Sequence, residues 1–247
     1  QGLRVVFNNG HLDIAYQGNY ITGSVGEYCS FFDPALKLYF PSTNLSWKIT
    51  SNSVSELKAE GRNREDHHYL QKFSIKLHNN ILDLAIHNEG NLVNQYNFNL
   101  FLVSTYDEWI LLDQQGCFPE FSHRINWVDL NLNVLPKQKL GIFTSIDNLL
   151  PGLIFESKFE NNIIKFFNSG YEQESRILNL YSIDSKNLSL TITACSQGVD
   201  FKERLEHERQ ILLLKRQEEE AKRLEEERLA QEAAERRRQE EEVKRLE

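Results

Sequence analysis

Lys72-Phe73-Ser74-Ile75-Lys76-Leu77-His78 alternates polar and apolar residues at each step. Asn79-Asn80 interrupts the pattern, and Ile81-Leu82-Asp83-Leu84-Ala85-Ile86-His87 resumes it. A period of two puts successive side chains on opposite faces of a strand, so each run reads as a half-buried β-strand. Two asparagines between them tolerate the positive φ of a tight turn. The stretch therefore predicts an antiparallel hairpin with Phe73, Ile75, Leu77, Leu82, Leu84 and Ile86 on the buried side. Asn88-Glu89-Gly90-Asn91 supplies a further turn, and Tyr96 to Val103 reads as a third strand.

The same alternation extends in both directions. Strands are expected at 3–7, 11–16, 36–40, 45–50, 128–134, 140–146, 153–159, 163–167, 177–183 and 188–194. Short strands at this spacing, separated by Asn, Gly and Ser turns, predict an antiparallel β-sandwich over residues 1–198. Trp47 and Trp127, each in strand-like surroundings, are expected in the core.

Beyond Gly198 the composition changes. Residues 199–247 read as a charged helical extension, continuous from Lys202 to Glu247 and with Asp200 as its N-cap. The segment from Lys202 has no Gly or Pro and is built of strong helix formers. Acid precedes base by four residues at Glu218–Lys222, Glu219–Arg223, Glu232–Arg236, Glu240–Lys244 and Glu241–Arg245. Leu205 and Leu212 are spaced as in a heptad, and Ile211 to Leu214 is an apolar cluster. Past Leu214, however, the heptad frames land on Arg228, Glu235, Arg238 and Arg245. The tail resembles the charged single α-helices of motor and scaffold proteins, with a weak coiled coil as the alternative.

Net charge is −8, and the tail holds 13 basic against 15 acidic residues. An acidic body argues against nucleic acid. No apolar run is long enough for a membrane helix, so no membrane insertion is expected. Cys29, Cys117 and Cys195 are widely spaced and match no zinc or disulfide pattern, which favours a reducing, cytoplasmic location. A chain that begins at Gln1 and contains no methionine reads as part of a longer protein.

Chemistry-bearing residues are sparse. Arg62, Arg64, Glu65, Asp66, His67 and His68 form the densest polar cluster, and Asp66, His67 and His68 are the candidate metal ligands, although neighbouring side chains on a strand diverge. His11 and Asp13 share a strand face without a third ligand. Trp109 beside Asp107, Glu108 and Asp113 places an aromatic next to carboxylates in a loop or edge, the arrangement that binds sugar faces. Glu156 and Glu160 are a conceivable carboxylate pair. No nucleotide-binding, serine-hydrolase or zinc-protease motif is present, and no cofactor is expected.

Leu70 to Val103, LQKFSIKLHNNILDLAIHNEGNLVNQYNFNLFLV, resembles the galactose-mutarotase-like C-terminal sandwich of family 57 amylases and glucanotransferases, and the likeness extends through Arg124 to Ser145. That resemblance implies a fold and an accessory position, not an activity, since no catalytic motif of those enzymes is present. The residues favour a non-enzymatic interaction or structural module, a sandwich head on a helical spacer or assembly arm. Its partners would be other proteins, or a second copy joined through the helix. The alternative is a carbohydrate-binding or accessory sandwich that engages polysaccharide. A small hydrolase centred on residues 62–68 is a third reading.

Overall fold

The computed structural model describes residues 2–23, 29–33, 38–63, 69–89, 95–111, 114–121, 128–136, 138–145, 149–170, 174–183, 186–196 and 199–246. A three-stranded sheet is formed by β1 (Leu3–Asn8), β2 (His11–Tyr16) and β3 (Asn19–Tyr20). A six-stranded sheet has the order β13 (Val128–Val134), β16 (Asn162–Ser169), β17 (Ser175–Ile183), β10 (Gln95–Val103), β4 (Cys29–Asp33), β5 (Leu38–Pro41). A nine-stranded sheet has the order β12 (Gln114–Cys117), β11 (Glu108–Leu111), β14 (Lys139–Phe143), β15 (Gly152–Glu156), β18 (Asn187–Cys195), β9 (Ile81–Glu89), β8 (Leu70–His78), β7 (Glu56–Arg62), β6 (Ser46–Asn52). The strand pairs are antiparallel.

The 72–87 hairpin forms as its alternation dictates. Phe73 faces Ile86, Ile75 faces Leu84 and Leu77 faces Leu82. Asn79 carries the turn at φ 53°, the left-handed region that asparagine tolerates. Phe73, Ile75, Leu82, Leu84 and Ile86 are buried, and Leu77 packs half-buried against them. These residues meet the inner face of the six-stranded sheet. Phe73 lies 6.5 Å from Phe98, and Phe155 lies 6.2 Å from Phe166, ring to ring. The body is an antiparallel β-sandwich.

Five strands escape the sequence reading: β3, β4, β7, β11 and β12. In β7 only Leu57 of the inward residues is large; Ala59 and Gly61 are too small to continue an alternating apolar signal. β12, QQGC, has no large apolar side chain. The strands expected over 140–146 and 153–159 stop at Phe143 and Glu156.

A single helix, α1 (Val199–Leu246), of 48 residues follows. It starts before Asp200, which lies inside the helix and is not its N-cap. Compactness divides the chain into units 1–201 and 202–247. The exposed ion pairs Lys222–Glu226 (4.0 Å), Arg223–Glu227 (4.0 Å) and Arg228–Glu232 run base first. This reverses the acid-first spacing expected for Lys222 and Arg223. Each of these bases has a glutamate four residues away on either side, so both registers are available and the C-terminal partner is taken. Arg228 also meets Glu225 at 2.6 Å.

Candidate functional site

Strand register builds a groove on the outer face of the nine-stranded sheet. Glu60, Lys72, His87 and Asn187 stand in one row across β7, β8, β9 and β18. The next row is Lys58, Ser74, Ala85 and Ser189, and the one beyond is Glu56, Lys76, Asp83 and Thr191. Small side chains at Ser74 and Ala85, between two rows of long ones, leave a groove of about 270 Å³. It extends from Thr50 on β6 to Asn187 on β18, with Phe159 in its wall.

Phe159 is placed by the segment linking the two sheets. β15 stops at Glu156, which leaves the neighbouring edge of β18 without a strand. The Asn162 side chain substitutes for it: its amide donates to the Asn187 carbonyl at 3.0 Å, and its oxygen accepts from the Ser189 N–H at 2.9 Å. The Asn162 N–H closes the turn onto the Phe159 carbonyl at 3.1 Å. Lys158 reaches back to Asp83 at 2.7 Å, where Thr191 Oγ1 also donates at 2.6 Å. Phe159, in this turn, is 42% exposed.

Charges in and beside the groove are paired. Lys72 donates to Glu89, and Lys58 lies 3.2 Å from Glu56. The Lys72 hydrogen bond holds the Glu89 carboxyl below its ordinary range. Burial alone would raise Asp83, but the hydrogen bonds from Lys158 and Thr191 and the Lys158 charge outweigh it and lower the carboxyl. His87 Nδ1 lies 2.6 Å from Asn187 Oδ1. An amide oxygen only accepts, so Nδ1 is the donor in that pair, and Nε2 stands 3.6 Å from Glu89. The groove thus offers imidazole, amide, hydroxyl, ammonium and carboxylate groups beside an aromatic ring, without a surplus of either charge.

The residues expected from sequence lie elsewhere or outside the described set. Trp109 sits on β11, second from the sheet edge, and packs half-buried against the core. It stands directly across from Gly116, where a Cβ would come within 3.0 Å of the indole. Asp107 is occupied by Ser145, whose N–H donates at 2.8 Å and whose hydroxyl donates as well. Glu108 pairs in the ladder with Cys117 and Phe143. Asp113, Asp66, His67, His68 and Trp127 lie outside the described residues. His11 and Asp13 approach to 3.6 Å on β2, and no cluster of three metal-ligating side chains exists among the described residues. Trp47 packs on Phe7 and Phe73 as a core residue. Among the described residues no helix is long and apolar enough to cross a membrane.

The groove residues were missed because His87 and Asn187 are 100 positions apart. The available signal was the polar parity of the hairpin, where Ser74 and Ala85 are small amid charged neighbours.

No family model matches this chain, and no curated protein matches it. Solved structures do. The GalNAc complex of the α-N-acetylgalactosaminidase NagBb from Bifidobacterium bifidum aligns with TM-score 0.56 and 9% identity over 79% of this chain and 35% of that one. The chain thus spans about a third of that protein's length, and the likeness is one of fold. A putative mutarotase from Salmonella typhimurium aligns at TM-score 0.49 with 10% identity, over 76% of this chain and 85% of that one. A putative aldose 1-epimerase from Escherichia coli K12 aligns at 0.48 with 8% identity, over 79% and 99%.

Proposed function

We propose that residues 1–198 are a carbohydrate-binding β-sandwich, an accessory part of a larger carbohydrate-active protein, and that sugar docks in the outer groove of the nine-stranded sheet. The observation that carries this is the row Glu60–Lys72–His87–Asn187 beside a floor of Ser74 and Ala85, with the exposed ring of Phe159 lining the same groove. Sugar recognition needs directional donors and acceptors for hydroxyls and an apolar face for the ring's C–H surface. The groove has both. The fold it shares with a galactosaminidase is consistent with this reading and adds no residue to it. Calorimetric titration of the full chain with neutral sugars, N-acetylgalactosamine among them, tests it. His87→Ala and Asn187→Ala should each weaken binding by about tenfold, some 1.4 kcal/mol. Trp109→Ala should leave affinity unchanged. Absence of binding to any neutral sugar contradicts the proposal.

The helix supports a second, compatible role as a protein-facing arm, either for another protein or for self-association. Ile211, Leu214, Leu224 and Leu229 are exposed on an otherwise charged surface.

A further inference from the structure

We infer that the groove takes a linear run of linked neutral sugars laid across the strands, with a chain end against Phe159, rather than a single ring. This deepens the carbohydrate reading above and rests on it. The argument comes from the register. The floor residues Ser74 and Ala85 are direct cross-strand partners, and Lys58 and Ser189 continue the same row on either side. The long axis of the groove is therefore perpendicular to the strands. From Thr50 on β6 to Asn187 on β18 it crosses four strand spacings, about 19 Å at 4.7–4.9 Å per spacing. A volume of about 270 Å³ spread over that length makes an open trench rather than a closed pocket for one ring, long enough for several.

The two ends differ. At the β6 end the trench reaches an edge strand, the last in the sheet, so a chain can continue past it. At the β18 end stands the segment between β15 and β16, fixed by the Asn162 amide on β18 and by Lys158 on Asp83. A ring stacked on Phe159 meets that segment and can go no further, so this is the place of a terminal sugar. The charges flanking the trench are paired, Lys72 with Glu89 and Lys58 with Glu56. An anionic chain would have to displace a carboxylate at each step, so the linked sugars are uncharged.

Chain-length dependence is the test. The full chain is titrated with α-1,4- and β-1,4-linked hexose oligomers and their N-acetylated counterparts, from one to six rings. In the series that binds, affinity should rise by about tenfold or more between one ring and four and then level off. Phe159→Ala should weaken all lengths alike, because every chain end uses it. Lys58→Ala, at the open end, should weaken only the longer oligomers. Ala85→Phe, at an exposed strand position in the floor, should abolish the gain with length while the circular dichroism spectrum is retained. If a monosaccharide binds as tightly as its tetramer, the trench inference fails and the carbohydrate reading stands. If no neutral sugar of any length binds, both fail. Equal losses at every length from Lys58→Ala would overturn the assignment of the open end.

Discussion

Trp47 stands directly across the β6–β7 ladder from Gly61, and its indole occupies the space a side chain there would fill: a Cβ on Gly61 would lie 2.7 Å from the ring. The indole N–H donates to the Ser42 carbonyl at 2.8 Å, and the ring packs edge to face on Phe7 and Phe73, with centroids 5.1 and 5.2 Å apart. At the opposite edge of the same sheet Trp109 covers Gly116 in the same cross-strand relation. Both edge hairpins of the nine-stranded sheet therefore bury a tryptophan on a glycine. A large ring covering the bare backbone of its partner recovers the packing that the glycine lacks.

Because the space is filled, Gly61→Ala should destabilise the body by about 1–3 kcal/mol through overpacking. Gly116→Ala should cost less, since its Cβ would approach the indole at 3.0 Å rather than 2.7 Å. Urea unfolding of both variants checks the order. Equal stability of Gly61→Ala and wild type would contradict the packing account.

Arg176 is 4% exposed, and burial pulls its guanidinium down to about 10, with Asp107 and Glu174 acting in the opposite direction. It donates to the Tyr106 carbonyl at 3.0 Å, the Pro119 carbonyl at 2.7 Å and Asn168 Oδ1 at 2.6 Å, and lies 4.1 Å from the Phe121 ring. Arg176→Met removes these three hydrogen bonds, although the Pro119 carbonyl keeps the Asn168 amide at 3.2 Å, at a cost of about 1–3 kcal/mol for each group left unsatisfied away from water. The variant should show a lower urea midpoint with an unchanged β-sheet circular dichroism spectrum. Arg176→Lys should recover only part of the loss, because an ammonium lacks the planar fork.

The Lys158–Asp83 pair ties the Phe159 segment to β9. The Asp83 carboxyl lies below its ordinary value of 3.8 in the folded state. Its contribution to stability is therefore complete above that value and is lost only as the pH falls through the lower folded value. Lys158 is 55% exposed, so the pair is worth less than about 1 kcal/mol. Carbon-13 NMR titration of the Asp83 carboxyl should show a value below 3.8 in the wild type and an upward shift in Lys158→Met. An unmoved titration would mean that the segment is held by Asn162 alone.

For the helix, residues 215–247 made as a peptide should be helical while monomeric, because high propensity and local ion pairs stabilise it without a partner. Its helicity should fall as salt screens the pairs. A concentration-dependent, cooperative melt would show a coiled-coil seam despite the broken heptads.

The sandwich was legible in the sequence wherever the inward half of the alternation was bulky and the outward half polar, as in Phe73-Ser74-Ile75 and Leu82-Asp83-Leu84. It was illegible where the inward residue was small and a distant ring filled the space, as at Ala59 and Gly61. The helix was legible because its stabilisation is local, but which glutamate each base would choose was not. The groove was legible only as the small Ser74 and Ala85 among the charged residues of the hairpin. It exists because Ser74 and Ala85 stand opposite each other between rows of longer side chains, and Asn187, in its wall, is 100 positions from His87. Trp109, the residue whose chemistry stood out along the chain, is spent on Gly116.

The most direct test of the carbohydrate assignment is the map of backbone amide shifts when the isotopically labelled chain is titrated with the neutral oligosaccharide it binds best. The account predicts shifts concentrated at Ser74, Ala85, His87, Phe159 and Asn187, with Glu108, Trp109 and Gly116 unmoved. Shifts centred on Trp109, or no shifts at saturating sugar, would contradict it.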